Sequence, residues 1–117
     1  MRLLVTEPAD AHEPPATFEL AAPLVVGRDP SCDVVLLEPS VSLRHGRFAL
    51  DPQGLGPTYT DLQSTNGSLR VRGGLSEPCP PGTPIALAAG DTLRLGDPSA
   101  PVEITLHAVA PRPELEL

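Results

Sequence analysis

The segments Thr92–Leu95, which reads TLRL, and Val102–Leu106, which reads VEITL, alternate apolar with polar residues. Successive side chains of a β-strand point to opposite faces of its sheet, so this period of two is typical of a strand with one buried face. Other short apolar segments recur along the chain between clusters of turn-forming residues. The sequence therefore predicts an all-β protein.

The predicted strands are short and are separated by breaks that contain glycine, proline, aspartate or asparagine. The chain has 16 prolines and 10 glycines, which leave little room for long helices. Many short strands with regular turns favour an antiparallel β-sandwich or barrel. We predict strands at Arg2–Thr6, Thr17–Leu20, Leu24–Gly27, Val34–Leu36, Gly46–Leu50, Thr58–Asp61, Ser68–Val71, Pro84–Leu87, Thr92–Leu95 and Val102–Ala108.

The length of 117 residues predicts a single domain, because a chain of this size supports one hydrophobic core. We expect that domain to span residues 1–110. The polar, proline-containing segment Glu7–Ala16 is predicted as a loop between the first two strands. Residues 111–117 are predicted as a flexible C-terminal tail or the start of a linker.

The net charge of −7 argues against nucleic acid as a partner, since such binding relies on basic residues that neutralise phosphates. Between residues 28 and 94, however, six arginines nearly balance seven acidic residues, so this part of the chain can hold a local anion site. All eight basic residues are arginine, which suits fork-like recognition of phosphate or carboxylate. A high-GC coding bias is the simpler explanation of that usage, and the absence of lysine alone indicates nothing.

Cysteine usage and hydropathy predict a soluble, cytoplasmic protein without a membrane partner. Cys32 and Cys79 are too few for a disulfide framework or a zinc site, so we expect two free thiols, with a single bridge as the alternative. No basic-then-apolar segment follows Met1, and no apolar run approaches a membrane span. The three histidines and two cysteines show no metal-ligand spacing. We expect no metal and no cofactor.

Three short segments follow predicted strands and carry the polar residues of interest. Val25–Asp29 contains a glycine and an arginine, Ser42–His45 contains a serine and a histidine, and Asp61–Gly67 reads DLQSTNG. A glycine such as Gly27 permits a backbone geometry or a close approach that a side chain would hinder.

Each segment by itself has an ordinary structural explanation. Arg28 alone would be a surface arginine paired with Asp29 or Asp33. Ser42 alone would be a loop residue, and the Asn66–Gly67 pair is suited to a β-turn with positive φ.

Together these segments resemble the forkhead-associated (FHA) family. The family pattern is Gly-Arg, then Ser-x-x-His, then Asp-Leu-x-Ser-Thr-Asn-Gly, then Gly-Asp-x-Ile/Leu-x-Leu-Gly. This chain has Gly27–Arg28, Ser42–His45, Asp61–Gly67 and Gly90–Gly96 in the same order, and the match covers roughly Leu3 to Ala108. The resemblance implies an eleven-stranded β-sandwich whose binding loops lie at one end.

The resemblance also implies a phosphothreonine-binding site on a bacterial signalling adaptor. Its partner would be a phosphorylated protein, such as the substrate of a Ser/Thr kinase. The implied phosphate contacts are Arg28, Ser42 and Thr65, with Asn66 bonded to the main chain of the peptide. The implied structural positions are Gly27, His45 and Gly67.

One position departs from the family pattern. The residue after the family serine is commonly a polar donor, and here it is Leu43. The next residue, Arg44, would compensate if it turned inward, although an outward, solvated arginine is the more ordinary arrangement. Both are therefore auxiliary candidates. We expect the loops Gln53–Pro57 and Gly73–Pro81 to select the residues that flank the phosphothreonine.

Two other functions compete with phosphopeptide binding. A serine hydrolase would use Ser42 and His45 as nucleophile and base, but the sequence shows no orienting acid and no nucleophile elbow. We therefore expect a protein that is not an enzyme. A phosphate-independent scaffold or dimerisation module on the same fold is the alternative, and Leu43 is the feature that favours it.

Overall fold

The computed structural model of the protein describes residues 1–10, 12–54 and 56–108. The predicted tail at 111–117 and the end of the predicted 1–110 domain lie outside these residues. The strands are β1 (Arg2–Thr6), β2 (Ala16–Glu19), β3 (Leu24–Gly27), β4 (Val34–Val35), β5 (Gly46–Leu50), β6 (Pro57–Asp61), β7 (Ser68–Arg72), β8 (Leu75–Pro78), β9 (Ile85–Ala86), β10 (Thr92–Leu95) and β11 (Val102–His107). A short 3-10 helix at Pro8–Asp10 lies within the segment that was predicted as a loop.

The strands form two sheets, which confirms the predicted β-sandwich. One sheet has six strands in the order β2-β1-β11-β10-β7-β8, and the other has five in the order β4-β3-β5-β6-β9. Neighbouring strands are antiparallel except β3 and β4, which pair in parallel. Among the described residues, no helix is long and apolar enough to cross a membrane.

Alternation in the sequence corresponds to the burial that the structure shows. In β11, Val102, Ile104 and Leu106 are buried, whereas the residues between them face outward. The aromatic pair Phe48 and Tyr59 lies in the same core, with ring centroids 4.9 Å apart. Both cysteines are buried free thiols. The remaining core is largely aliphatic.

Strand β8 was not predicted, and the segment Gly73–Pro81 was expected to be a loop. All four residues of β8 are exposed, so its sequence has no period-two pattern to recognise. It pairs with β7 through a tight turn in which Gly73 and Gly74 have φ of 55° and 81°, the positive values that such hairpin turns require.

Strand register brings the motif-bearing loops to one end of the sandwich. In the five-stranded sheet, Gly46 pairs with Asp61, so β5 begins where β6 ends. In the six-stranded sheet, Leu95 pairs with both Ser68 and Val102, so the β6–β7 and β10–β11 loops lie at the same end of that sheet. The β3–β4 and β4–β5 loops join them through the contacts described below.

Of the segment Gln53–Pro57, which was expected to select flanking residues, the described residues lie in the turn between β5 and β6 and at the first position of β6. That turn follows Leu50, at the far end of a strand that begins at Gly46. The rise of a strand over these residues is roughly 13 Å. The other segment expected to select flanking residues, Gly73–Pro81, does reach the end of the sandwich that carries the motif loops. There Pro81 forms a β-bridge with Asp61.

Candidate functional site

A buried carboxylate shapes the β6–β7 loop. Asp61 Oδ1 accepts a hydrogen bond from the Ser64 N–H at 2.8 Å, and its Oδ2 accepts from the hydroxyls of Ser64 and Ser68. Ser64 Oγ accepts in turn from the Gly67 N–H at 3.1 Å. Burial raises the pKa of Asp61, but these hydrogen bonds outweigh that effect and hold the pKa below its usual value. An ionised Asp61 therefore fixes the loop that carries Thr65 and Asn66.

His45 joins two of the loops from a position with no solvent exposure. Its Nδ1 accepts from the Ser42 N–H at 3.0 Å, so the ring proton lies on Nε2, which donates to the Gly67 carbonyl at 2.8 Å. Burial lowers the pKa of His45, opposed in part by the Gly67 carbonyl and the Asp61 carboxylate. The neutral imidazole thus links the β4–β5 loop to the β6–β7 loop without facing solvent.

Gly27 allows the end of β3 to approach the β4–β5 loop closely. A Cβ at this position would lie 2.1 Å from the Leu43 carbonyl oxygen and 3.0 Å from the Arg44 Cα. The segments are held together by main-chain hydrogen bonds from Arg28 N to Ser42 O at 3.1 Å and from Asp29 N to Leu43 O at 3.0 Å. The glycine is required because backbone occupies the space that a side chain would take.

Arg28 lies where the end of β3 contacts the β4–β5 loop, and one side of its guanidinium is held by a hydrogen bond. Its Nε donates to the Val41 carbonyl, while neither Nη has a hydrogen-bond or ion-pair partner among residues 1–10, 12–54 and 56–108. The alternative of a salt bridge to Asp29 or Asp33 is not observed: these carboxylates accept from the main-chain N–H groups of Ser31 and Val25. The exposed end of Arg28 is available to an anion.

Ser42 and Thr65 lie next to this arginine. Ser42 Oγ accepts from the Thr65 N–H at 2.9 Å, and within the described part of the chain its own hydroxyl proton has no acceptor. The Ser42 carbonyl is the acceptor for Arg28 N. The three residues predicted to contact phosphate are therefore brought together from three different loops.

Asn66 is exposed, and its side chain is oriented by a residue that the sequence did not single out. Its Nδ2 donates to the Ser40 carbonyl at 2.8 Å, which leaves its amide oxygen without a partner in the described residues. Ser40 Oγ accepts from the Asp97 N–H at 2.9 Å and so ties in the β10–β11 loop. Ser40 and Val41 orient Asn66 and Arg28 through main-chain carbonyls, and no residue type in the sequence signals such a contact.

Leu43 and Arg44, the auxiliary candidates, are both exposed on the same loop. The Leu43 side chain is 54% exposed, whereas its carbonyl accepts from Asp29 N and from the Cys32 thiol at 3.2 Å. Arg44 makes no hydrogen bond or ion pair within the described ranges, although its charge helps to lower the pKa of Asp29 after the larger effect of the Ser31 hydrogen bonds.

The arrangement gathers neutral and cationic hydrogen-bond donors. Arg28 supplies the charge, the Ser42 hydroxyl is a neutral donor, and Asn66 offers an amide. Within the described ranges, no three His, Cys, Asp or Glu side chains are grouped as metal ligands. Such a set of donors suits a phosphate dianion, which needs hydrogen bonds from several sides.

Comparison with protein families gives one match: the model described as FHA domain covers residues 24–96. The chain belongs to the FHA family. The matched range runs from the start of β3 to the residue after β10 and includes the β3–β4, β4–β5 and β6–β7 loops of this FHA domain. No curated protein sequence matches it.

Solved FHA domains share the fold. The FhaA FHA domain, solved with the intracellular domain of Rv3910, is 27% identical with a TM-score of 0.64, covering 89% of this chain and 96% of that one. An FHA domain of an Arabidopsis thaliana hypothetical protein is 23% identical with a TM-score of 0.76, covering 95% and 86%. A third, from a study of phosphothreonine-dependent FHA domain interactions, is 23% identical with a TM-score of 0.66, covering 95% and 100%.

Proposed function

We propose that this FHA domain binds partner proteins through phosphothreonine and acts as an adaptor. Arg28, Ser42 and Thr65 contact the phosphate, and Asn66 holds the main chain of the peptide. Gly27, His45 and Gly67 support these residues without touching the ligand. The partner is a protein phosphorylated by a Ser/Thr kinase, and the domain performs no catalysis.

The observation that carries this proposal is the state of the Arg28 guanidinium. Its Nε donates to the Val41 carbonyl, while within the described residues the Nη groups have no partner. The main-chain N–H of Arg28 donates to the Ser42 carbonyl. An arginine already held on one side loses less freedom when it binds an anion. The site is thus organised before the ligand arrives.

The solved relatives support a phosphorylated ligand. The FhaA FHA domain was crystallised with an intracellular protein domain as its partner. Another structure comes from work on phosphothreonine-dependent interactions, and an engineered FHA domain was solved with a Myc-pTBD peptide. The hydrogen-bond donors around Arg28 support a phosphorylated ligand for this chain as well.

Peptide titration tests the proposal. A phosphothreonine peptide library and matched unphosphorylated peptides are titrated against the wild type, Arg28→Ala and the exposed control Arg47→Ala by fluorescence anisotropy. We expect phosphate-dependent binding that Arg28→Ala weakens by about tenfold to a hundredfold, the value of a charged hydrogen bond, and that Arg47→Ala retains. Phosphoserine versions of the bound peptides test the preference for threonine.

The same titration distinguishes phosphopeptide binding from the alternative function, a phosphate-independent scaffold. The exposed Leu43 side chain is the feature that favours this alternative. That function predicts equal binding of phosphorylated and unphosphorylated peptides. Equal binding of a phosphopeptide to wild type and Arg28→Ala would contradict the residue assignment instead.

A further inference from the structure

A groove lies between the edge strands of the two sheets, on the side of the sandwich opposite β8 and β9. β2 is an edge strand of the six-stranded sheet and β4 an edge strand of the five-stranded sheet, and in the described part of the chain each pairs with one strand. Both border the groove, whose volume is 280 Å³. This volume is just below the range of small-molecule sites, about 300–1,000 Å³, so the β2–β4 groove suits a protein side chain.

The floor of the β2–β4 groove is apolar. Val5, Val34 and Leu36 come from the two facing sheets and are buried. The half-buried ring of Phe18 lies beside them, and Val35, also a lining residue, is 43% exposed. An apolar side chain that entered the groove would therefore extend the hydrophobic core.

The main chain of β2 has an open edge along the same groove. The Leu20 N–H donates to the Met1 carbonyl at 2.9 Å, and the antiparallel register continues from there along both strands. Hydrogen-bonded and non-hydrogen-bonded pairs alternate in such a ladder, so the N–H and C=O groups of Thr17 and Glu19 point away from β1. An open edge of this kind is a template for a further strand.

The charged residues that line the groove in the described part of the chain are all acidic: Glu7, Asp10 and Glu13. Glu7 uses one carboxylate oxygen to accept from the N–H groups of Leu37 and Glu38. Asp10 and Glu13 are exposed, and within the described residues their carboxylates form no ion pair. The groove is therefore complementary in charge to a basic partner.

We propose that the β2–β4 groove binds an extended segment of a partner protein, in which an apolar side chain is flanked by lysine or arginine. The segment adds a strand to the open edge of β2, inserts its apolar side chain between the two sheets and places its basic residues beside Asp10 and Glu13. A second copy of this chain is disfavoured, because a symmetric pair would bring the same acidic residues to the contact. The interaction requires no phosphate, so it adds a second binding surface to the one around Arg28.

Peptide selection on the whole chain tests the chemistry of the partner. Random, unphosphorylated heptapeptides displayed on phage are selected on the wild type, Val35→Lys and Leu50→Lys. Val35 and Leu50 are 43% and 42% exposed, and Leu50 lies outside the groove, so the two variants are matched in charge and exposure. We expect the wild type and Leu50→Lys to select an apolar residue flanked by lysine or arginine. By fluorescence anisotropy, Val35→Lys should bind the selected peptides about tenfold more weakly.

A proline variant tests the open edge of β2. Because the Thr17 N–H points away from β1, Thr17→Pro removes a donor of the open edge and keeps the ladder to β1. Thr17→Ala keeps that donor and is the matched control. We expect Thr17→Pro to bind the selected peptides about threefold to tenfold more weakly than Thr17→Ala. Far-UV circular dichroism verifies that both variants fold.

NMR locates the selected peptide on the chain. Its titration is expected to shift the amide signals of Thr17 and Val35 and to leave those of Ser42 and Thr65 unchanged. The inference is overturned by shifts confined to Ser42 and Thr65, by wild-type affinity in Val35→Lys, or by a selection that yields no basic and apolar peptides. A dimer in light scattering that Thr17→Pro dissociates also overturns it, since a second copy would then occupy the groove.

Discussion

The Ser42 hydroxyl oxygen accepts a hydrogen bond from the Thr65 N–H at 2.9 Å. This contact spans two loops and uses the oxygen as an acceptor, so the hydroxyl proton remains available to donate. One side chain thus both fixes the position of the β6–β7 loop and offers a donor at the surface.

Ser42→Ala is expected to weaken phosphopeptide binding by about tenfold to a hundredfold, since it removes a donor to a charged group. Isothermal titration calorimetry with a selected phosphopeptide measures the effect. Ser76→Ala, at an exposed position of β8, serves as the control and should bind as the wild type does. Wild-type affinity in Ser42→Ala would contradict its role as a phosphate donor.

Arg28→Lys is expected to bind phosphopeptide about tenfold more weakly than the wild type, because lysine cannot hold the Val41 carbonyl and present a planar fork at the same time. Arg44→Lys, which keeps an exposed charge on the adjoining loop, is the matched comparison and should change affinity less. Surface plasmon resonance with an immobilised phosphopeptide measures both. Wild-type affinity in Arg28→Lys would indicate that charge alone, rather than fork geometry, attracts the ligand.

Gly27→Ala is expected to lower the free energy of unfolding by about 1–3 kcal/mol, since the new Cβ meets the Leu43 carbonyl at 2.1 Å. Urea denaturation measures the change. Arg28→Ala, one residue later, should leave the unfolding free energy within about 0.5 kcal/mol while weakening binding. An unchanged midpoint in Gly27→Ala would mean that the two loops separate at little cost.

Acidification is expected to destabilise the fold through His45. Because burial lowers the pKa of His45 in the folded state, the unfolded chain takes up the proton first as pH falls below its ordinary value of about 6.5. The free energy of unfolding therefore decreases from pH 6.5 downward, until the folded state also binds the proton.

Denaturation at pH 7.5 and 5.5 measures this loss, and an NMR titration of the imidazole assigns it. His107→Gln, which replaces an exposed histidine at the end of β11, is the control variant. A His45 imidazole that titrates at or above 6.5 would refute the explanation. Asp61, whose pKa is also lowered, contributes a further loss only at more acidic pH.

Glu7→Ala is expected to reduce the free energy of unfolding by about 1–3 kcal/mol. One oxygen of Glu7 accepts hydrogen bonds from the N–H groups of both Leu37 and Glu38, each at 2.8 Å, and so anchors the start of the β4–β5 loop. Thermal unfolding measures the change, with Glu13→Ala as the control. The Glu13 side chain is exposed and accepts no hydrogen bond in the described residues. Equal melting temperatures of the two variants would show that the Glu7 hydrogen bonds make no net contribution to the stability of the fold.

Sequence patterns predicted the sandwich because most strands have one buried face. They missed β8, whose residues are all exposed, and they assigned a selecting role to Gln53–Pro57, which register places at the far end of β5. Both failures have the same physical origin: strand pairing, rather than local composition, determines where an exposed segment lies.

The sequence also named the candidate residues, which remain a proposal, but it did not reveal how they are positioned. The guanidinium of Arg28 is oriented by the Val41 carbonyl, and the amide of Asn66 by the Ser40 carbonyl. Every residue has a carbonyl, so neither partner differs from its neighbours in the sequence.

The main chain of Leu43 stabilises the fold through hydrogen bonds, whereas its side chain is exposed. Its carbonyl accepts hydrogen bonds from the Asp29 N–H and the Cys32 thiol, and its side chain projects into solvent. Any residue supplies the same carbonyl. Exchange of the side chain at this position therefore offers a route to retarget the domain toward new partners while the fold and the proposed phosphate-binding residues stay unchanged.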